Sequence, residues 1–499
     1  MAESFEGFEA CDDSDFLTIR YRDIVAENHP IRFIDRFIET IDVECFEKKY
    51  RVGEGQKGRS PKAVRLMLKV ILYAIYCRIY SARKIDYATE HYADFWFFSY
   101  ARRISHDKIS DFIRLHGEDL HTVFLETISL ARDNDLLSFD ALYQDGFKVK
   151  ATASKKRNYT QHSFDKKQEQ LSENVSHVLE ALQSNAKNPH LVEESKKVQG
   201  KLLQIGTLRD ELLKRIAKRS EGKSAAQQKE IVAKTLINAT DPDAELMRQK
   251  DGSHANAYLK VVGTDNKADI VISSTISGHD YEAQTSLPLF EQANMNLTQI
   301  GSTQTYSSAV ADSSFITMEN CTSYESKKAQ IIGPTQEYEH SKRNPEKQKE
   351  AITFQYDEST QTVRCSEGAV LSKTGNRYRK ERDIDVDMYS NKEACKNCAC
   401  LHTCTESKKG YRIVLIDPRL AAQQRSIERY RSEKGQILYK KRCHVAETYQ
   451  GDLKKNGRFI SYLLRGIAQV RIESMLHDIV WNLQRIFTET STQSIVWNT

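Results

Sequence analysis

Apolar residues recur every three or four positions over most of the chain, and β-type runs are few and short, so the pattern predicts a helix-rich protein built around one mixed sheet. Ile31 to Ile41 reads as an amphipathic segment. Ser60-Pro61 puts proline in a first helical turn, and Val64, Leu68, Ile71 and Ile75 follow at helical spacing. Ser105-His106-Asp107 offers capping oxygens to a further helix with Ile109, Phe112 and Ile113 on one face. Between Asn158 and Lys234 two narrow stripes, Leu171, Val175, Val178 and Leu182, then Val198, Leu202, Ile205, Leu208 and Leu212, predict two helices broken near Asn188-Pro189, packed as a hairpin or serving as a dimer contact. Tyr258–Val262 and Ile270–Ser274, joined by Thr264-Asp265-Asn266-Lys267, read as a hairpin of strands. Leu136 to Tyr143 and Ser308 to Ala311 read as further strands, and helices from Tyr281 to Asn294 and after Ser426 are expected to cover the sheet. Leu463 to Phe487, with Ile467, Val470, Met475, Ile479 and Leu483, reads as a core-covering helix pair with Trp481 in the core.

Composition narrows the picture. A chain of 499 residues exceeds the size at which one core stops growing, so two or three structural units are expected. Only 8 prolines and 21 glycines leave long stretches uninterrupted, which favours helix. The longest apolar run, Val70 to Cys77, lies between Lys69 and Arg78 and is far short of the roughly 20 residues of a membrane helix. The N-terminus has neither the basic start nor the apolar stretch of a secretory signal, and a cytoplasmic protein with no membrane partner is expected.

A net charge of +5 is small, but the basic residues cluster: Lys148, Lys150, Lys155, Lys156 and Arg157 in one place, and Lys440, Lys441, Arg442, Lys454, Lys455 and Arg458 in another. Each cluster alone reads equally well as a solvated face. Each, however, flanks an acidic residue in a distinctive context, Asp145 in Tyr143-Gln144-Asp145-Gly146 and Glu447 ahead of Lys454, with Asp312 in Val310-Ala311-Asp312-Ser313 between them. Two strands and a helix that bring three carboxylates together can hold two Mg²⁺ ions, and massed cations beside them suit an approaching phosphate backbone.

The flanking residues carry a resemblance. Asp145-Gly146-Phe147-Lys148-Val149-Lys150-Ala151-Thr152-Ala153-Ser154 resembles the first catalytic motif of bacterial insertion-sequence DDE transposases, and Tyr439, Arg442, Glu447 and Lys454 resemble their Tyr-Arg-Glu-Lys signature. The longer spacing from Arg to Glu is similar to the group numbered eleven-eighty-two. Asn238-Ala239-Thr240-Asp241-Pro242-Asp243-Ala244, Asn256-Ala257-Tyr258 and Leu464-Arg465-Gly466-Ile467 extend the likeness along the chain. There are departures: Asp312-Ser313-Ser314-Phe315 stands where the family has Asp-x-Gly-Tyr, Thr448-Tyr449-Gln450-Gly451 stands for Pro-Val-Phe-Gly, and Phe147 replaces Thr.

The resemblance implies an α+β, helix-rich protein with an RNase H-like catalytic core. It implies Asp145, Asp312 and Glu447 as the acids that hold two Mg²⁺ or Mn²⁺ ions, and double-stranded DNA, both element terminal inverted repeats and target, as partner. Lys148, Lys150, Tyr439, Arg442, Lys454, Lys455 and Arg458 are the expected DNA contacts, with Lys454 two α-helical turns beyond Glu447 and on its face. The expected organisation is an N-terminal segment (1–59), a helical DNA-binding domain (60–134), a catalytic domain in three pieces (135–157, 235–335 and 421–499), a helical insertion (158–234) and a cysteine-rich insertion (336–420). The expected function is cleavage at the element's ends and their joining to target DNA, by a dimer synapsed on DNA, in a bacterial cytoplasm near the nucleoid. A nuclease of the same fold without strand transfer, and a DNA-binding descendant that no longer cuts, are the alternatives.

Cys395-Lys396-Asn397-Cys398-Ala399-Cys400-Leu401-His402-Thr403-Cys404, with Cys365 upstream in an expected strand, has the Cys-x-x-Cys knuckle and the further thiolates of a tetrahedral structural Zn²⁺ site. Cys365, Cys395, Cys398 and Cys404 are the expected ligands, and Cys400 or His402 is an equal substitute for one of them. An iron–sulfur cluster and free thiols are the alternatives.

Overall fold

The computed structural model describes residues 20–49, 64–184, 188–343, 353–379, 384–490 and 495–497, apart from the side chains of Leu182, residues 340–343, Ala446 and Glu447. The helix start expected at Ser60-Pro61 lies outside the described residues. The chain forms two compact units, residues 1–123 with 486–499, and residues 124–485. Among the described residues no helix is long and apolar enough to cross a membrane.

The first unit contains α1 (Pro30–Thr40), α2 (Glu44–Lys48), α3 (Val64–Tyr76), α4 (Ala82–His91), α5 (Trp96–Ser99), α6 (His106–His116) and the first turn of α7 (Leu120–Asp133). From Met67 to Ile75 α3 is buried all round, as a central helix must be. Its Lys69 is tolerated there because Asp35, at 2.5 Å, and Glu39 pair with it. Asp86 of α4 is buried and accepts two bonds from the Arg103 guanidinium, at 2.6 and 3.0 Å, and the His106 backbone N–H at 3.1 Å. Ser105 does stand at the N-cap of α6, yet its side chain makes no capping bond. Asp86 takes the helix's first N–H instead.

The second unit is organised by a six-stranded sheet. β1 (Leu142–Lys150) leads through β2 (Asn158–Tyr159) into a helical excursion, α8 (Gln161–Ser184), α9 (Pro189–Ser220) and α10 (Ala225–Lys234), and returns through β3 (Ile237–Asn238). There follow β4 (Glu245–Arg248), β5 (His254–Asp265), β6 (Ile270–Ser277), α11 (Ser286–Gln299), β7 (Ser308–Val310), α12 (Met318–Ser326), β8 (Gln330–Ile332) and α13 (Gln336–Arg343). β5 pairs antiparallel with β1 on one side and with β4 and β6 on the other, while β1, β7 and β8 run parallel. Asp145 lies inside β1, opposite Val262, and not at the end of a strand. Residues 136–141 are not strand, because the pairing with β5 runs from Tyr143 out to Lys150.

In the helical excursion α8 and α9 pack against one another; Phe164, Leu208, Leu212 and Ile216 close over Ile237 of the β2–β3 pair, and of the first stripe Leu171 is buried. α10 had no counterpart in the sequence reading; its start is a full capping box between Ser224 and Gln227. A second, all-antiparallel sheet is formed by β9 (Phe354–Asp357), β10 (Thr362–Cys365), β11 (Val370–Arg379), β12 (Ile384–Ser390) and, after the short helices α14 (Lys392–Lys396) and α15 (Leu401–Cys404), β13 (Val414–Ile416). Its core is Val363, Leu371, Tyr389 and Ile416.

The chain ends in α16 (Leu420–Arg431), α17 (Glu433–Gly451) and α18 (Ile467–Thr490). α18 is one helix and not the expected pair, since no proline or glycine interrupts it. Its Asn482 accepts the Val271 N–H and donates to the Val271 carbonyl, at 2.8 and 2.9 Å, which fastens the helix to β6. Lys260 of β5 and Asp478 of α18, each 1% exposed, pair at 2.6 Å, and Tyr449 of α17 donates to the same carboxylate at 2.6 Å. Lys260 also donates to Tyr449 Oη and Ser474 Oγ. Strand, α17 and α18 are therefore locked by one buried, fully bonded charge pair.

The motif residues other than the acids join up. Asn238 donates to Ser154 O and Asn158 Oδ1 and accepts the N–H groups of Thr240 and Asp241. Asp241 accepts from Tyr258 Oη at 2.7 Å and from the Gly466 N–H at 3.1 Å, and Asp243 accepts the Ile467 N–H at 2.8 Å. Gly466, at φ +78°, sits in the left-handed region that glycine adopts without strain. These segments are the fastening that fixes the end of β1 against the entry to α18.

Candidate active site

The site is assembled by α17. Leu438, Arg442, Val445 and Tyr449 follow at steps of four, three and four, which places them on one helix face. Leu438 and Val445 pack on Ala141, Tyr143, Val310 and Ile332 at the ends of β1, β7 and β8. Arg442 is carried in with them. Its Nη2 donates to Asp145 Oδ1 at 2.6 Å and lies 3.4 Å from Asp312 Oδ2. Asp312 follows β7 by two residues, and because β7 is the parallel neighbour of β1, the two aspartates meet at one place on the sheet.

Burial pushes the Asp145 carboxyl up from its ordinary value, with Arg442 opposing and the like charge of Asp312 adding to the rise. Asp312 Oδ1 accepts the Ser314 backbone N–H at 2.8 Å and lies 2.6 Å from Ser314 Oγ. A further carboxylate, absent from the sequence reading, stands here. Glu282, in a 3₁₀ turn (Glu282–Thr285) ahead of α11, has Oε2 2.6 Å from Ser314 Oγ. Its Oε1 lies so close to Gly146 that a β-carbon there would be only 2.8 Å away. Burial raises the Glu282 carboxyl; Ser314 opposes, and Asp312 and Asp145 add to the rise. Nothing around Glu282 in the sequence marked it among 69 acidic residues. Only its position between β6 and α11 brings it in.

Glu447 lies in α17, five residues beyond Arg442, between the buried Val445 and Tyr449; its side chain is outside the described set. α17 continues directly into a π-helical turn, Asp452–Asn456, which carries Lys454. The wider turn departs from the 3.6-residue count on which the expected same-face relation to Glu447 rests. Lys454 Nζ stands 5.2 Å from the centre of the Phe147 ring, and burial, aided by Lys250, lowers its ammonium to about 8 against the pull of Asp145. With Lys148, Lys150, Arg248, Lys250 and Glu282 it lines a cleft of about 560 Å³ beside Asp145.

The remaining expected contacts divide by exposure. Lys148 is partly committed, pairing with Asp280 at 2.6 Å and donating to Arg248 O. Lys150, Lys455 and Arg458 are exposed. Tyr439 packs edge-on against Tyr430 at 5.0 Å. Arg442 is only 12% exposed and faces the carboxylates.

Cys365, Cys395, Cys398 and Cys404 line one pocket of about 440 Å³ at the end of the second sheet, with Glu367 and Arg412 beside them. Burial raises the Cys404 thiol, and Cys365, Cys395 and Cys398 are near enough to add to the rise. Cys400 turns to Glu367 and Cys398, and Glu367 raises its thiol. His402 does not line the pocket.

Among the described residues, no three His, Cys, Asp or Glu side chains close into a metal-holding arrangement. The donor chemistry nevertheless fits at both places. Mg²⁺ binds through as few as one or two carboxylates, and Asp145 and Asp312 converge on one cationic group, the Arg442 guanidinium. Four thiols gathered around one pocket suit a Zn²⁺ ion that deprotonates them.

No curated protein and no solved structure gives a significant match to the chain. Residues 364–487, which include the cysteine pocket, α17 and Glu447 but neither Asp145 nor Asp312, match the family model described as "Transposase DDE domain". Residues 19–115, most of the first unit, match the one described as "Transposase domain (DUF772)". Two transposase-type matches at opposite ends of one chain support an insertion-sequence DDE transposase.

Proposed function

We propose that the protein is an insertion-sequence DDE transposase of the eleven-eighty-two-like, Tyr-Arg-Glu-Lys type, which cuts at the terminal repeats of its element and joins the ends to target DNA. The observation that carries this reading is the meeting of Asp145 and Asp312 on Arg442, from the helix that also bears Glu447. In this reading the six-stranded sheet is an RNase H-like core, and Asp145, Asp312 and Glu447 hold two Mg²⁺ or Mn²⁺ ions. The bound metals supply Lewis acidity at the attacking and leaving oxygens. The chain's own residues do the rest. Arg442 keeps the two aspartates from repelling one another before metal and DNA arrive. The cleft with Lys150, Lys250 and Lys454 draws the phosphate backbone towards Asp145, with Lys455 and Arg458 extending the basic surface. Lys148 and Tyr439 complete the assigned contacts. Binding of the element's ends is assigned to the first helical unit, and a dimer to the synapsed complex. Cys365, Cys395, Cys398 and Cys404 are assigned a structural Zn²⁺ that closes the end of the second sheet.

The test is incubation of purified protein with Mg²⁺, then Mn²⁺, on a supercoiled plasmid carrying the element's flanking DNA, beside Asp145→Asn and Glu447→Gln. End-specific nicks and joined products, lost in both variants, are expected. Cleavage without joining, or equal cleavage of unrelated plasmid, would instead mark a nuclease, and end binding without cleavage a DNA-binding descendant.

A further inference from the structure

Position 314 is where this chain departs from the pattern it resembles, with serine in place of glycine, and the structure gives that serine a task. Ser314 Oγ lies 2.6 Å from Asp312 Oδ1 and 2.6 Å from Glu282 Oε2. Glycine has no atom to offer there. A hydroxyl has one hydrogen to donate and lone pairs to accept with, so a link between two carboxyl groups runs in one direction, with one group donating to Ser314 Oγ and the other accepting from it.

The surroundings hold both ends of the link in place. Gln144, next to Asp145, donates to Ser286 O at 2.9 Å and accepts from Ser286 Oγ at 2.6 Å, which fixes the start of α11 just behind the turn of Glu282. Asn320 donates to Ala283 O at 2.8 Å and to Phe315 O at 2.9 Å, which cross-links the turn of Glu282 to the loop of Asp312. Gly146 leaves room for the Glu282 carboxyl to reach Ser314. The β7 strand ends at Val310, so Asp312 sits on a loop outside the sheet ladder.

We propose that Glu282 and Ser314 form a positioning pair, in which the Glu282 carboxyl holds the Ser314 hydroxyl and the hydroxyl holds the Asp312 carboxylate in its place beside Asp145. The consequence for catalysis rests on the function proposed above; the positioning itself does not. Groups that orient a metal-holding carboxylate typically change metal affinity or activity by about 10- to 100-fold when removed.

The experiment compares Glu282→Ala, Ser314→Ala, the double variant and Glu282→Gln in the full-length protein. The first readout is hydrogen exchange of the peptide spanning residues 311–317, which contains the Ser314 N–H held by Asp312 Oδ1. Exchange about tenfold faster in both alanine variants, no faster in the double variant, and restored in Glu282→Gln, whose amide keeps a hydrogen-bonding group within reach of Ser314 Oγ, is the expected result. Unchanged exchange in either alanine variant would overturn the pairing. So would additive effects in the double variant. The second readout is the Mn²⁺ concentration for half-maximal nicking of plasmid carrying the element's ends, expected to rise about tenfold in the alanine variants and not in Glu282→Gln. If Glu282→Gln loses as much activity as Glu282→Ala, Glu282 is itself a metal-holding group and the positioning role is wrong. A wild-type protein that never nicks would defeat the proposed function alone, because the exchange data decide the pairing without it.

Discussion

Arg442 Nη2 stands 2.6 Å from Asp145 Oδ1, across 297 residues of chain, and both side chains are largely buried. A buried ion pair adds little net stability, but removing one partner strands the other. Arg442→Ala is therefore expected to destabilise the second unit by roughly 3–5 kcal/mol. Asp145→Asn is expected to cost less, because Arg442 keeps Asp312 at 3.4 Å. Denaturant midpoints of the two variants check the asymmetry, and only Asp145→Asn should keep its end-binding affinity while losing all cleavage.

Lys260 and Asp478 make the same argument deeper in the protein, where neither is exposed. Asp478→Asn or Lys260→Met alone is expected to cost several kcal/mol, whereas Lys260→Met with Asp478→Leu recovers much of the loss. Tyr449→Phe, which deletes its bond to Asp478 and the one it accepts from Lys260, is expected to cost about 1.5–3 kcal/mol. Thermal melting of the set orders them. A double variant as weak as the worse single one contradicts the account.

Glu473 of α18 is buried and accepts the N–H groups of Leu463 and Leu464, and its burial raises the carboxyl to about 7 against those bonds. The folded value lies above the unfolded one, so the contribution is fully present below the unfolded value of 4.5 and is lost as pH rises through about 7. Glu473→Gln cannot ionise. The melting temperature of the variant relative to wild type is thus expected to climb between pH 5 and pH 8, and a flat difference would contradict a buried, titrating Glu473.

The cysteine pocket is expected to hold one zinc ion per chain, measurable by atomic emission on protein purified without chelator. Cys398→Ser is expected to lower that content and to loosen the sheet of residues 354–416. Cys400→Ser is expected to retain the metal, because Cys400 turns towards Glu367.

Lys455 and Arg458 are exposed, whereas Lys148 already pairs with Asp280. Lys455→Ala and Arg458→Ala are each expected to weaken binding across all DNA sequences and to reduce the salt dependence by about one phosphate contact. Lys148→Ala is expected to do less. Fluorescence anisotropy over a range of salt concentrations separates them.

Local patterning along the chain already encodes many of its elements. The two stripes of the helical excursion, the hairpin of β5 and β6, the helix bearing Glu447 and the strand before Asp312 all follow from spacing, because period and turn chemistry are local properties of the chain. The distinctive contexts of Asp145, Asp312, Arg442 and Lys454 were equally legible. What those residues touch is set by long-range packing. That Arg442 faces two aspartates and not solvent depends on Leu438 and Val445 packing against β1, β7 and β8, all far earlier in the chain, and the π turn beneath Lys454 shifts a count that assumed 3.6 residues per turn. Glu282 had no local signature at all. It reaches the site because the turn after β6 brings it against Gly146 of β1, which leaves it room, a juxtaposition made by packing, to which no nearest-neighbour pattern in the chain corresponds.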